Sequence, residues 1–144
     1  MLNRTIRNIV KGQDIITAPA KTSASEAARL MKQHKVGAIL VVEDSKLVGI
    51  FTERDGLYRL VAEQLDAANT TLAEVMTPNP QTIQPDDPFP SALHMMYTGG
   101  FRHVPVVEDG KPIGMVSARD ALGPELEDFV YALLRQNQIN DILA

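Results

Sequence analysis

The chain has 144 residues, 44% of them hydrophobic and 22% charged, with a formal net charge of −4 and a pI near 5.3. That length allows one domain with a proper core, and the acidic balance disfavours sequence-independent binding to nucleic acid. Cysteine is absent, which excludes disulfides, thiolate chemistry and cysteine zinc sites.

Ile6, Ile9 and Val10, followed by Gly12, predict a short amphipathic helix with a glycine stop. Residues 14–17 are a brief β-prone run ended by Pro19. Ser23 and Glu26 make a Ser-x-x-Glu capping box, and Ala24, Ala27, Ala28 and Met31 keep helical spacing to about His34. Residues 37–42 and 47–52 read as strands around a turn at 43–46. Leu57, Leu60, Val61 and Leu65 predict another amphipathic helix, and residues 66–71 form a polar link.

The same order then returns. Residues 72–76 read as a short helix, 77–80 as a loop and 81–84 as a brief strand. Asp87 is a cap before Pro88 at the first helical position, with Phe89, Ala92, Leu93 and Met96 as the buried stripe and Gly99-Gly100 as the stop. Two further strands and a turn lead to residues 117–122. Gly123-Pro124 opens a last helix whose apolar positions are Leu126, Phe129, Val130, Leu133 and Leu134.

The recurrence is a repeat in the strict sense. Residues 36–55 and 101–120 align without a gap at an offset of 65, and eight of twenty positions are identical. Unrelated segments would share roughly one or two. One such unit would be marginal alone, so two are expected to share a core. The expected fold class is α+β, with two pseudo-two-fold-related β-α-β-β-α repeats plus terminal helices. The first repeat is placed at 1–70 with the N-terminal helix, the second at 71–123 and the C-terminal helix at 124–144.

Each repeat ends in one pattern: Gly49-Ile50-Phe51-Thr52-Glu53-Arg54-Asp55 and Gly114-Met115-Val116-Ser117-Ala118-Arg119-Asp120. The hydroxyl falls where a strand gives way to a helix, and the free N–H groups there suit a phosphate. The aspartate suits the paired hydroxyls of a ribose, and the arginine offers a fork of donors to phosphate. Thr52-x-x-Asp55 and Ser117-x-x-Asp120 also read as simple helix caps, but a cap needs neither the glycine nor the arginine.

These endings, with Glu74-Val75-Met76-Thr77 and Arg102-His103-Val104-Pro105-Val106-Val107, make residues 12–122 resemble a tandem pair of cystathionine β-synthase (CBS) domains. The resemblance implies a regulatory, non-catalytic module for adenosyl ligands: AMP, ADP or ATP, and less often NAD or S-adenosylmethionine. It implies phosphate contacts at Thr52 and Ser117, beside Arg54 and Arg119, and ribose contacts at Asp55 and Asp120. The base would lie against Ile16, Thr17, Gly37, Ala38, Gln81, Thr82, Val104 and Pro105.

The repeats differ where a ligand would lie. Gly37-Ala38 becomes Arg102-His103, and Glu53 becomes Ala118, so the two clefts are not expected to bind alike. Either cleft could be the one served by Arg102 and His103. His34, His94 and His103 show no metal-ligand spacing, and no nucleophile stands beside a base. A nucleotide hydrolase using Asp55 or Asp120 would need a metal or a raised carboxylate pKa, and a pure assembly module would have degenerate clefts.

No apolar run reaches the roughly eighteen residues of a membrane span, and residues 1–12 lack the apolar block of a signal peptide. The cytoplasm is the expected compartment. A homodimer is expected from the apolar stripe of the last helix, which the short stripe of Ile6, Ile9 and Val10 could extend. Output would pass to an effector protein through association.

Overall fold

A computed structural model describes residues 4–122 and 131–136. The first half contributes α1 (Ile6–Val10), β1 (Thr17–Ala18), α2 (Ala24–His34), β2 (Ala38–Glu43), β3 (Lys46–Thr52) and α3 (Glu53–Asp55), which runs on into a π-helical segment, Gly56–Val61. The second contributes α4 (Leu72–Val75), β4 (Thr77–Pro78), α5 (Phe89–Gly99), β5 (His103–Glu108), β6 (Lys111–Ser117) and a 3-10 helix, Ala118–Leu122. The mixed α+β class expected from the sequence is what the chain adopts.

The 65-residue offset survives as geometry. Ala38 pairs with Thr52 across β2 and β3, and His103 pairs with Ser117 across β5 and β6. Each hairpin carries a bulge at the equivalent place, Val41/Val42 and Val106/Val107. Ala18 lies parallel to Val41, and Ile83 makes the matching parallel bridge to Val106. Both main helices end at a left-handed residue, Lys35 at φ 56° and Gly100 at φ 72°. Glycine takes that conformation without a steric penalty, and lysine does not.

The two lead-in helices are exchanged. Ile6 and Val10 of α1 lie in the core formed by Ile83, Phe89, Ala92, Met96, Val104, Val106 and Val116. Leu72 and Val75 of α4 lie in the core of the first repeat, with Ala24, Ala27, Met31, Ile39, Val41 and Phe51. The helix N-termini repeat the exchange in their hydrogen bonds. Ile6 and Arg7 donate backbone N–H groups to the carbonyls of Asp87 and Pro85, at 3.1 and 2.7 Å. Leu72 and Ala73 donate theirs to Thr22 and Ala20, at 2.8 and 2.9 Å. These are orphan donors of a first turn, satisfied across the repeat boundary. Arg7 adds ion pairs to Asp86 at 3.0 Å and Glu108 at 2.7 Å. A third cluster, Ala38, Leu40 and Ile50 with Met115 packed against it, forms where the repeats meet.

Four local expectations change. Residues 77–80 are not all loop, because Thr77–Pro78 joins the edge of β3 as the fourth strand of the larger sheet. Residues 81–84 reduce to the single bridge at Ile83. Helix α5 starts at Phe89 with Pro88 as its N-cap, while the Asp87 carboxylate accepts the Gln84 N–H at 3.0 Å. Only half of the Ser23 capping box forms. Ser23 accepts the Glu26 N–H at 3.2 Å, but the Glu26 carboxylate pairs with Arg29.

Leu57, Leu60 and Val61 are helical and Leu65 lies beyond the helix end, and the stripe is not one buried face. Ala62 donates to the Leu57 carbonyl at 2.9 Å, five residues back, and Leu65 to the Leu60 carbonyl at 3.0 Å. The wider π turn carries positions three and four apart off a common face, so Leu60 is buried while Leu57, Val61 and Leu65 are exposed. Ile6 and Val10, expected to be free for a partner, are covered within the chain. Of the last helix, residues 131–136 are helical, with Leu133 and Leu134 exposed. Leu126, Phe129 and Val130 lie outside the described residues. No helix among the described residues is long and apolar enough to cross a membrane.

Candidate functional site

A cleft of about 390 Å³ opens between the two repeats, a size suited to a small ligand. Repeat one supplies Ile15, Ile16, Gly37, Ala38 and Leu40 from the segment before β1 and the start of β2, with Lys35 and Glu53 at the edges. Repeat two supplies Arg102, His103, Met115, Ser117, Arg119 and Asp120. One wall is therefore mainly apolar, and the opposite wall carries a hydroxyl, a carboxylate and two guanidinium groups.

The polar wall follows from local structure. Ser117 ends β6, and its N–H donates to Oδ2 of Asp120 at 2.7 Å as the chain turns into the 3-10 helix. This fixes one carboxylate oxygen and presents the other. Among the described residues that second oxygen accepts no hydrogen bond, and the Arg119 guanidinium donates none.

The matching turn of repeat one is closed. Thr52 N–H and Oγ1 donate to Oδ2 of Asp55 at 3.0 and 3.2 Å, and Asp55 N–H returns a bond to Thr52 at 3.1 Å. Thr77 donates to Oδ1 of Asp55 at 3.1 Å, and Arg59 stands 3.6 Å from the same oxygen. Asp55 is only 8% exposed. Arg54 donates to the Gly100 carbonyl at 2.8 Å and so caps the end of α5. Thr52 and Asp55 thus bond chiefly to each other, and Arg54 to the end of α5.

Of the residues predicted from sequence, the cleft brings together Ile16, Gly37, Ala38, Arg102, His103, Ser117, Arg119 and Asp120. A smaller hollow takes Thr52 and Arg54 with Leu57, Tyr58 and Phe101, and shares Glu53, Arg102 and His103 with the cleft. Thr17 is exposed on β1, Thr82 borders a separate shallow depression, and Val104 and Pro105 are buried inside β5. Sequence reasoning did not single out Gln13, Asp14, Ile15, Lys35, Leu40 or Met115 as lining residues. Gln13 left the weakest trace: its side-chain amide pairs with both backbone groups of Met115, accepting at 2.7 Å and donating at 3.1 Å, in the manner of a strand. Glu53 had a signal in its contrast with Ala118.

His103 and Glu53 meet at Gly37. A Cβ on Gly37 would stand 2.6 Å from Oε1 of Glu53 and 3.2 Å from Nε2 of His103, so only glycine leaves both tips in place. Burial holds the His103 imidazole below its usual pKa. Glu53 and Asp120 oppose that shift, and Arg102 and Arg119 add to it.

With this geometry the comparisons with known proteins agree. The family model described as "CBS domain" matches residues 6–62 and 72–124. The chain belongs to the CBS domain family. An Arabidopsis thaliana protein, CBS domain-containing protein CBSCBSPB5, is 37% identical over 108 residues, 74% of this chain and 20% of its own length. The chain thus spans about a fifth of that relative. Among solved structures, the CBS-domain containing protein ATU1752 from Agrobacterium tumefaciens is 31% identical with a TM-score of 0.76, covering 83% of this chain and 97% of that one. The CBS domain pair of MJ0100, in complex with 5′-methylthioadenosine and S-adenosyl-L-methionine, is 29% identical with a TM-score of 0.73, covering 81% of this chain and 91% of that one. The two CBS repeats found by sequence offset are the two that the family model finds.

Proposed function

We propose that this CBS pair is a non-catalytic sensor of an adenine nucleotide, AMP, ADP or ATP, that binds one ligand in the cleft between the repeats. The carrying observation is the half-free carboxylate of Asp120 beside Ser117 and Arg119, opposite the apolar wall of Ile15, Ile16 and Ala38. Asp120 would hold the ribose hydroxyls, Ser117, Arg119 and Arg102 the phosphate, and the apolar wall the base. The adenosyl ligands of MJ0100 support the class of ligand and favour a second reading, S-adenosylmethionine, over NAD.

The mechanism is a shift of population. A ligand held by both repeats favours one relative orientation, by as much as its affinities for the two orientations differ. A cytoplasmic homodimer that passes the change to an effector protein completes the reading. The test is a melting panel with adenosine and guanosine nucleotides. A ligand at a hundredfold excess over Kd adds about 2.7 kcal/mol of stability. Adenosyl ligands should raise Tm and guanosine nucleotides should raise it less. A flat panel at millimolar ligand rejects the sensor in favour of an assembly module, and phosphate release from ATP would reveal an enzyme.

A further inference from the structure

Glu53 stands where a binding site for anions has least reason to keep a carboxylate. It follows Thr52 in the first-repeat turn, and its N–H donates to the Gly37 carbonyl at 3.0 Å. In the second repeat Ala118 makes the same bond to the Arg102 carbonyl at 2.9 Å. The backbone role is therefore met equally well by a side chain without charge. The Glu53 carboxylate takes no hydrogen bond among the described residues and points at the site of a Gly37 Cβ, beside Nε2 of His103. His103 is the cross-strand partner of Ser117. A phosphate at the Ser117 turn therefore has Glu53 as its anionic neighbour from the opposite repeat, in addition to Asp120 of its own turn.

The charge balance of the cleft gives that carboxylate a consequence. Lys35, Arg102 and Arg119 face Asp14, Glu53 and Asp120 along the lining. With burial keeping His103 neutral, three fixed positive charges meet three negative ones. Such a cleft has no surplus positive charge to draw in a further phosphate, so a phosphate beyond those its guanidinium groups pair meets the Glu53 carboxylate uncompensated, and that local repulsion grows with ligand charge.

We propose that Glu53 sets the phosphate count of the ligand, admitting an adenosine monophosphate and holding off the triphosphate. This rests on the adenosyl reading above, and it names a determinant that the repeat pattern lacks, since the pattern leaves that position open.

The experiment is titration of the full chain, without divalent metal, with AMP and ATP, for the parent and for Glu53→Gln. The parent should bind AMP more tightly than ATP, and Glu53→Gln should narrow the ratio of the two Kd values about tenfold. An unchanged ratio, or equal tightening for both nucleotides, overturns the proposal while leaving the adenosyl reading intact. Absence of binding by any adenosine compound to the parent overturns the reading, and the proposal with it. Should Glu53→Gln melt below the titration temperature, Ala118→Glu replaces it. That variant adds a carboxylate at an exposed position in the opposite lip. It should widen the ratio, and a ratio at the parental value then overturns the proposal.

Discussion

Thr77 donates its hydroxyl to Oδ1 of Asp55 at 3.1 Å, and the residue that the exchanged lead-in helices put at the matching place is Lys11, which has no hydroxyl to offer Asp120. Thr77, with the Thr52 hydroxyl and Arg59, thus closes the first turn, while the second keeps a single bond from Ser117 and stays open. The closed turn stabilises the first repeat, and the open turn leaves an acceptor facing the cleft.

The two aspartates should therefore fail differently when removed. Asp55→Ala deletes a complete capping box and leaves the Thr52 N–H and Thr77 hydroxyl without their partner. We expect a loss of about 2–3 kcal/mol in stability, read by urea unfolding, with weak effects on nucleotide affinity. Asp120→Ala removes one cap bond from a half-exposed turn but also the proposed ribose acceptor. It should weaken AMP binding by about 1.5–3 kcal/mol in calorimetry while melting near the parent. The opposite assignment of the two phenotypes would place the ligand at the first-repeat turn.

Two glycines test the cleft against the core. In Gly37→Ala the new Cβ meets the tips of Glu53 and His103, which can turn aside into the cleft. Ligand binding should fall, with a stability cost below about 1 kcal/mol. In Gly114→Ala the new Cβ stands 2.5 Å from Cβ of Val10, a buried β-branched residue that cannot move without shifting α1. That variant should lose about 1–3 kcal/mol. Thermal melts of the pair decide it, and equal melting temperatures would count against the docking of α1 in the second core.

The offset of 65 residues made the fold legible, because it predicted the strand pairs and helix ends of both repeats together, although the two bulges were not foreseen. The exchange of α1 and α4 was not legible. Ile6, Ile9 and Val10 show that a helix has an apolar face, but nothing in their spacing says which core receives it. The π turn was hidden for a related reason, since Leu57, Leu60 and Val61 fit an α pattern and only the backbone reveals the wider winding. For the candidate site, the motif marked Thr52 and Ser117 alike. Part of the difference lay in Thr77 and Lys11, far from the motif and unremarkable as single letters.

His103 gives the protein a pH dependence of definite sign. Its folded-state pKa lies below the ordinary 6.5, first because burial disfavours the cation, with Glu53 and Asp120 opposing and Arg102 and Arg119 assisting. The unfolded chain then binds the proton more readily. The stability contribution is complete above about pH 6.5 and is lost as pH falls through the folded-state value. His103→Gln should flatten part of the fall in Tm between pH 7.5 and pH 5. Superimposable profiles would show that the imidazole does not titrate as the structure requires. A bound phosphate favours the imidazolium, so the rise in Tm with AMP should be larger at pH 5.5 than at pH 7.5 for the parent only.

The last prediction concerns association. Leu57, Tyr58 and Val61 are 56%, 60% and 63% exposed on one short π-helical segment, and Leu65 follows them. Leu133 and Leu134 are exposed on the terminal helix. Apolar side chains gathered in this way cost solubility unless something covers them, and a two-fold contact between identical chains is the commonest cover. The first group carries the expected interface, because it stands on an element anchored in the first core through Leu60. Light scattering at micromolar concentration should return twice the 15.8 kDa chain mass. Leu57→Glu with Val61→Glu should return the single mass, since a charge at a buried apolar contact costs several kcal/mol per protomer. Leu133→Glu with Leu134→Glu should leave the dimer assembled. Dissociation by the second pair and not the first would move the interface to the terminal helix, and a parent that scatters as a monomer would remove the dimer altogether.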